Sequence, residues 1–250
     1  KILQKDFLRR GAASVSGVLF GKAEQSQTAL CRDEPLDEKI RECNAGGFMQ
    51  VYKIYPIGFA ANSYLITADG KSAVAVDPAQ PRILDEAKKR GLEVKYVLLT
   101  HGHFDHIGGC AALQAAGAKV GCLEAERALA TGKNNLAEEF GVPMSAFTVD
   151  FTFRDGDRLD LCGIHVRVVA TPGHTAGGAC FIAGDRLFTG DTLFAGDVGR
   201  TDLPTGSGVA LTASLKKLYA LEGDFVVCPG HGEDSTLSYE RQFNGYIRQC

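Results

Sequence analysis

The stretch Thr100-His101-Gly102-His103-Phe104-Asp105-His106-Ile107-Gly108-Gly109 decides how the rest of this sequence is interpreted. It follows residues 94–99, a mostly apolar run that predicts a buried β-strand. Three imidazoles and one carboxylate therefore lie within six residues, just past a strand end. Imidazole and carboxylate groups are ligands that borderline divalent metals prefer, and a loop leaves them open to substrate. The stretch predicts a metal site rather than a solvated polar loop.

The spacing within this stretch divides its ligands into two sets. His101 and His103 are two residues apart in extended backbone, so both side chains can turn toward one ion. Asp105 and His106 are adjacent and point elsewhere, which suits a second ion. The sequence is therefore compatible with a centre of two metal ions.

Three further segments carry ligand-type residues, and each again follows a predicted strand. They are Thr171-Pro172-Gly173-His174-Thr175, Thr189-Gly190-Asp191-Thr192 and Pro229-Gly230-His231-Gly232-Glu233. Glycine beside the histidine or aspartate lets the backbone turn tightly, so the side chain can point at an ion. Together with the stretch 100–109, these segments contain five of the six histidines. The sixth, His165, lies within a predicted strand and is interpreted as structural.

The composition of the 250-residue chain argues against some classes of function. Hydrophobic residues make up 45% and charged residues 23%, as in ordinary soluble globular proteins, and the length suits one large domain or two small ones. The net charge of −3 offers no broad basic surface, so we expect no nucleic-acid partner. No run approaches the ~18 apolar residues that span a bilayer, so we expect no membrane span.

The cysteines predict buried thiols in a reducing compartment. None forms a Cys-x-x-Cys pair, and most have apolar neighbours, although an even count leaves a disulfide possible. This pattern favours a cytoplasmic protein. The eight are Cys31, Cys43, Cys110, Cys122, Cys162, Cys180, Cys228 and Cys250.

Residues 1–46 differ from the rest and are interpreted as an N-terminal extension to a catalytic domain at 47–250. The basic residues 5–10 precede the small, apolar run 11–20, as in an export signal with some features of a twin-arginine leader. No convincing small-x-small cleavage site follows. An arm that packs on the domain or on a second subunit is therefore favoured over a cleaved signal, which leaves a homodimer and export as possibilities.

From residue 48 onward, strand and helix patterns alternate, and two facing sheets with helices outside would bury this much strand. The helix at 237–247 carries Tyr239, Phe243, Tyr246 and Ile247 on one face. Helices are predicted at 81–90, 110–116, 208–221 and 237–247, with 124–141 helical or irregular. Strands are predicted at 49–55, 62–67, 72–76, 94–99, 120–123, 147–153, 160–162, 164–170, 179–183, 186–189 and 225–228.

The ordered ligand residues resemble the metallo-β-lactamase superfamily over about residues 48–235, with Asp77 matching its early strand-end aspartate. The resemblance implies an α/β fold, a four-layer αββα sandwich with the metal site at one edge of the sheets. It implies that His101, His103 and His174 hold one ion, that Asp105, His106 and His231 hold the other, and that Asp191 bridges them. Asp77 would support the ligands without binding metal.

Within that superfamily the sequence is most similar to the glyoxalase II-like group. Residues 171–177, 188–194 and 199–203 carry this similarity. Full-length glyoxalase II enzymes add a helical C-terminal domain, but only 19 residues follow His231 here. The chain therefore looks more like the shorter, single-domain type. The resemblance implies hydrolysis of a thioester such as S-lactoylglutathione. Arg200 is a candidate contact to a substrate carboxylate, although it could equally brace its own loop.

The implied mechanism uses two divalent ions, zinc by preference, with iron or manganese as alternatives. A metal-bound hydroxide would attack the thioester carbonyl, with Asp105 as a ligand and catalytic residue that orients it. A thiolate, with a pKa of about 8.5, leaves without a dedicated acid. One alternative is a persulfide dioxygenase with a single iron on His101, His174 and Asp191. Another is a metal-stabilised binding protein without catalysis.

Overall fold

The computed structural model describes residues 49–249, and the predicted N-terminal extension at 1–46 lies outside them. The described chain forms two six-stranded sheets and a short two-stranded ribbon. The strands are β1 (Gln50–Ile54), β2 (Ser63–Thr67), β3 (Ser72–Val76), β4 (Glu93–Leu98), β5 (Lys119–Leu123), β6 (Phe151–Phe153), β7 (Arg158–Leu161), β8 (Ile164–Ala170), β9 (Ala179–Ala183), β10 (Arg186–Gly190), β11 (Leu193–Phe194), β12 (Asp197–Val198), β13 (Val226–Pro229) and β14 (Ser235–Thr236).

The helices are short, and the longest of those described has 12 residues. In the first helix Ile83 and Ala87 are buried one turn apart, which is the spacing that puts an apolar stripe against a sheet. The long helix begins at Ser207, whose hydroxyl accepts a hydrogen bond from the Ala210 amide at 3.3 Å. The α-helices are α1 (Ile83–Lys89), α2 (Phe104–Ile107), α3 (Cys110–Ala115), α4 (Arg127–Thr131), α5 (Ala137–Phe140), α6 (Gly208–Tyr219) and α7 (Leu237–Phe243), with 3₁₀ turns at Glu124–Glu126, Lys133–Asn135 and Ile247–Gln249.

Each sheet mixes parallel and antiparallel pairs. The first has the order β1-β2-β3-β4-β5-β6, with β3 to β6 parallel, and the second has the order β14-β13-β10-β9-β8-β7, with β10 and β13 parallel. Since β9 is antiparallel to both β8 and β10, strands β8, β10 and β13 all run in one direction. Their carboxyl ends therefore lie on the same edge of the second sheet.

Three hydrophobic clusters fix the layers. One joins both sheets face to face, with Val74 and Leu98 from the first and Val168, Phe181 and Phe188 from the second. A second packs α1 and α3 on the outside of the first sheet, and a third packs α6 and α7 on the outside of the second. The predicted αββα sandwich is confirmed.

The structure also corrects several predicted elements. The stretch after His103 is not wholly loop, because Phe104–Ile107 forms a helical turn. The strand predicted at 147–153 begins only at Phe151, since residues 148 and 150 instead bond Gln114 and the Val120 amide. The ribbon β11–β12 and edge strand β14 were not predicted, since two-residue strands carry no periodicity. Among the described residues, no helix is long and apolar enough to cross a lipid bilayer.

Candidate metal centre

The predicted ligand residues converge at one edge of the sandwich, where parallel strands end. His101 and His103 follow β4, and Asp105 and His106 lie on α2 immediately after. From the second sheet, the loops after β8, β10 and β13 bring three more ligands. Their nitrogen and oxygen atoms form three groups, each within 4.8 Å: His101, His103 and His174; His101, His106 and Asp191; Asp105, His106 and His231.

The first group joins the two sheets. His103 Nδ1 lies 2.9 Å from His174 Nε2, and the rings of His101 and His174 have centroids 4.8 Å apart. Two imidazole nitrogens at this separation either share a proton or direct both lone pairs at a common cation. All three side chains are buried, so water does not compete for these atoms.

The group of Asp105, His106 and His231 lies beside α2 and is called the second group from here on. His231 Nε2 lies 3.2 Å from Asp105 Oδ2, and His106 Nε2 lies 3.8 Å from the same oxygen. The helical turn explains this placement, since it aims the adjacent Asp105 and His106 side chains away from His101 and His103.

Asp191 lies between the two groups. Its Oδ1 is 3.3 Å from His106 Nε2, and its Oδ2 is 3.5 Å from His174 Nε2 and 3.6 Å from His231 Nε2. A single carboxylate thus faces imidazoles of both groups. Gly190 before it has a φ of +47°, a left-handed conformation that glycine adopts without strain.

For His174 and His106, a hydrogen bond on the outer side of the ring determines which nitrogen faces the centre. His174 Nδ1 lies 2.8 Å from the Arg200 carbonyl, which can only accept, so Nδ1 carries the proton. His106 Nδ1 likewise lies 2.9 Å from Asp77 Oδ2. In a neutral ring Nε2 then keeps its lone pair, which is the arrangement that metal-binding histidines adopt.

Asp77 holds the ligand loop of the first sheet through hydrogen bonds. Its Oδ1 accepts the Thr100 amide at 2.8 Å, and its Oδ2 accepts the Thr100 hydroxyl at 2.6 Å as well as His106. The residue has a φ of 47°, uncommon for aspartate and costing about 1–3 kcal/mol. The carboxylate that ends β3 thus fixes both the start of the histidine loop and one ring.

Orphaned polar atoms give a test of whether this site suits a cation. His101 Nε2, His106 Nε2 and Asp191 Oδ1 are buried and have no hydrogen-bond partner among the described residues. Leaving a buried polar atom unpaired costs about 1–3 kcal/mol each. These three atoms belong to one group within 4.8 Å, and they are the donor types that zinc and iron bind. The residues therefore fit a metal centre.

The carboxylates and imidazoles of the cluster shift one another's pKa values. Burial alone would raise the pKa of Asp191, but His231 and His106 hold it well below its usual range. Burial alone would lower the pKa of His106, but Asp191, Asp105 and Asp77 raise it well above its usual value. For His101, by contrast, burial and the neighbouring imidazoles both lower the pKa. The site is thus strongly polarised, with anionic carboxylates surrounded by imidazoles.

Arg200 and His165 are not members of the ligand groups. Arg200 contributes its carbonyl to His174, while its guanidinium pairs with the Asp202 carboxylate through two hydrogen bonds of 2.6 Å. His165 is exposed on β8, outside the cluster, at 3.6 Å from Asp160. Its predicted position within a strand is confirmed, and its side chain points to solvent.

Asn62 also supports the site, although no sequence motif indicates it. Its buried side-chain amide donates to the carbonyls of Pro229 and Gly232 at 3.0 Å each, on both sides of His231, and Tyr64 donates to Pro229 as well at 2.8 Å. The second sheet's last loop is thus held by β2 of the first sheet. Only an asparagine at a strand start signals this in the sequence, and that signal is too common to be specific.

Comparison with known proteins identifies the family. The model of the metallo-beta-lactamase superfamily matches residues 56–231, which includes all seven ligand-type residues. The chain belongs to the metallo-beta-lactamase superfamily. This superfamily member is 36% identical over 205 residues to hydroxyacylglutathione hydrolase GloC of Haemophilus influenzae, covering 78% of the chain and 97% of the relative.

Solved structures of other proteins are also similar to this chain. The B3 metallo-beta-lactamase BLEG-1 superposes with a TM-score of 0.74 and 29% identity, covering 79% of the chain and 99% of BLEG-1. TTHA1623, crystallised in a di-iron-bound form, has a TM-score of 0.70 and 34% identity, with 78% and 99% covered. Both the predicted family and its fold are confirmed.

Proposed function

We propose that this chain is a metal-dependent thioesterase of the hydroxyacylglutathione hydrolase type. The observation that carries the proposal is the pair of donor groups linked by Asp191 at one edge of the sandwich. The similarity to GloC over 97% of that relative supports the thioester substrate class, with S-lactoylglutathione as the example.

In this proposal seven residues divide between two ions. His101, His103 and His174 hold one, Asp105, His106 and His231 hold the other, and Asp191 bridges. Zinc fits nitrogen-rich groups of this kind, and iron and manganese remain candidates, iron in particular because TTHA1623 binds two. When bound, such ions supply a water whose pKa is near neutral and a Lewis acid for a carbonyl.

The protein residues supply orientation and desolvation. Asp105 is the more exposed of the two central carboxylates, with 17% of its side chain accessible against 11% for Asp191. In this proposal Asp105 accepts a hydrogen bond from the attacking water and so orients that water toward a carbonyl. Because the leaving thiolate has a pKa of about 8.5, no residue has to protonate it during departure. This agrees with the lack of a further acid in the ligand motifs.

Arg200 is proposed as a contact to a substrate carboxylate. Its guanidinium already binds Asp202 through two hydrogen bonds, so a substrate would have to compete with that residue. The small-molecule thioester is the proposed partner, and the cytoplasm is the proposed location. A catalytic domain at 47–250 and a homodimer are part of the same proposal.

The deciding experiment combines metal analysis with turnover. Protein purified without added metal is analysed for zinc, iron and manganese, and release of glutathione from S-lactoylglutathione is followed with a thiol reagent. Two ions per chain and thioester hydrolysis that a chelator abolishes would support the proposal. For the ligand variant Asp191→Ala, the matched control is Asp185→Ala, which removes an exposed carboxylate between β9 and β10.

The same preparation separates the alternatives. One iron per chain, with oxygen uptake on glutathione persulfide and no thioester hydrolysis, would instead indicate a dioxygenase with iron on His101, His174 and Asp191. Bound metal with neither activity would indicate a metal-stabilised binding protein.

A further inference from the structure

The first metal group is assembled from two loops that belong to different sheets. His101 and His103 come from the loop after β4, whereas His174 comes from the loop after β8. The two loops are about 70 residues apart in sequence, and yet His103 Nδ1 and His174 Nε2 are 2.9 Å apart. Metal ligands need positions defined to within about 0.5 Å, so this separation requires a support.

A single buried carboxylate connects these loops. Glu126, in the 3₁₀ turn before α4, is only 1% exposed. Its Oε1 accepts the amide of Gly102 at 2.8 Å, and its Oε2 accepts the amide of Gly177 at 2.8 Å. Gly102 lies between His101 and His103, and Gly177 lies three residues after His174.

Both loops also pack tightly against the same segment. A Cβ at Gly177 would lie 2.4 Å from the Glu126 amide nitrogen and 2.5 Å from its Oε2. A Cβ at Gly102 would lie 2.6 Å from the backbone of Ala130 in α4. Only glycine permits this approach, so the segment 124–130 and the two loops form one closely fitted unit.

The chemistry of the bridge requires a carboxylate. Each oxygen accepts from a different loop, and an ionised carboxylate is the side chain that accepts at both ends without donating. Burial raises the pKa of Glu126, and the amides of Gly102 and Gly177 act in the opposite direction. Glu126 accepts from backbone amides beside the ligand residues, so these two bonds serve loop placement.

We infer that Glu126 is a positioning residue that sets the distance between the His101/His103 pair and His174, and thereby the affinity of one of the two metal sites. This inference rests on the proposed metal centre. It assigns to Glu126 an effect on the first group only, because in the other group Asp77 orients the His106 ring and Asn62 holds the loop that carries His231.

The test compares metal affinities of Glu126→Gln with those of Glu124→Gln. Glutamine has nearly the same shape but offers an NH₂ group to one of the two amides, so one half of the bridge must break. Glu124 is an exposed residue of the same 3₁₀ turn and serves as the matched control. Metal-free protein is titrated with zinc against a chromophoric chelator, and thermal unfolding of the metal-free form is recorded for each variant.

We expect Glu126→Gln to weaken one binding step at least about tenfold and leave the other unchanged, as seen when groups that orient metal ligands are removed. The Glu124→Gln protein should match the unaltered chain. If both steps keep their affinity, or both weaken equally while the unfolding temperature falls, Glu126 is only a structural brace and the inference is wrong.

A second measurement needs no variant. In the metal-free, unaltered protein the amides of Gly102 and Gly177 should exchange with deuterium far more slowly than other loop amides, since both donate to a buried carboxylate. Rapid exchange at either amide would overturn the inference even if Glu126→Gln failed to fold. Absence of metal binding by the unaltered protein would instead refute the proposed function, and the exchange result would still report on the bridge.

Discussion

At the scale of single residues, the centre depends on side chains that face two ways. Asp191 contacts His106 on one side and His174 and His231 on the other. Asp77 contacts Thr100 and His106. Each of these carboxylates couples parts of the site that come from distant positions in the chain. Substitutions at them should therefore affect metal binding more than folding.

Replacing Asp191 with alanine should reduce metal content and thioester turnover together. The variant removes the carboxylate that faces both groups, so we expect a fall in turnover of at least about 100-fold and loss of bound metal. Elemental analysis and a glutathione-release assay measure the two effects. Retention of both ions with full turnover would show that Asp191 does not bridge, and Asp185→Ala should behave as the unaltered chain.

Replacing Asp77 with asparagine should change the protonation of His106 rather than remove a ligand. An amide NH₂ facing Nδ1 makes that nitrogen an acceptor and moves the proton to Nε2, which can then no longer bind a cation. We expect the affinity of one metal step to fall about 10- to 100-fold. The chelator titration checks it, with Asp69→Asn at an exposed turn as control. Unchanged affinity would mean that Asp77 does not orient His106.

At the scale of elements, strand direction and tight turns bring the loops together. Strands β3 and β4 are parallel in one sheet, and β8, β10 and β13 share one direction in the other. The loop after β13 packs directly against the cluster. A Cβ at Gly230 would lie 2.3 Å from Asp191 Oδ1 and 2.6 Å from His106 Cε1.

Gly230→Ala should therefore block metal binding with a smaller effect on the fold. The added methyl group occupies space among ligand side chains, which can move, rather than space within the core. We expect loss of at least one bound ion and a turnover reduction of about 100-fold, measured as for Asp191. Gly208→Ala, at the open start of α6, is the matched control. A Gly230→Ala protein with two ions and normal turnover would contradict the described placement of this loop.

The last helix illustrates where periodicity misled. The sequence placed Tyr239, Phe243, Tyr246 and Ile247 on one face. Ile247 is buried, but each of the other three is more than half exposed. The buried positions include Glu240, which accepts the Gly196 amide at 2.9 Å, and Asn244, which donates to the Asp197 carbonyl at 3.1 Å. These polar groups are buried because they hold the ribbon β11–β12, a long-range contact that no helical pattern encodes.

At the scale of the whole domain, a bound cation would link the two sheets. Its proposed ligands come from loops of both, so binding should stabilise the folded state by RT ln(1 + [L]/Kd), about 4 kcal/mol at 1,000 times Kd. For a domain of this size, that corresponds to a rise in Tm of about 8–16 °C.

Chelation should accordingly lower the unfolding temperature of the purified protein. We expect a fall of about 10 °C with EDTA, restored by zinc, measured by differential scanning fluorimetry. Asp191→Ala should show a much smaller difference between metal-loaded and chelated samples. Equal unfolding temperatures with and without EDTA, in protein shown to have contained metal, would mean that the ions do not stabilise the fold.

The sequence by itself determined the fold class, most strand positions and the proposed ligand set. Those residues occur as dense or glycine-flanked motifs directly after strands, where local pattern and chemistry coincide. The tertiary structure decided how they are held. Glu126 and Asn62 act on loops about 24 to 170 residues away, through hydrogen bonds to backbone groups that any residue possesses. Backbone partners leave no mark on the sequence, so only the packed chain identifies them.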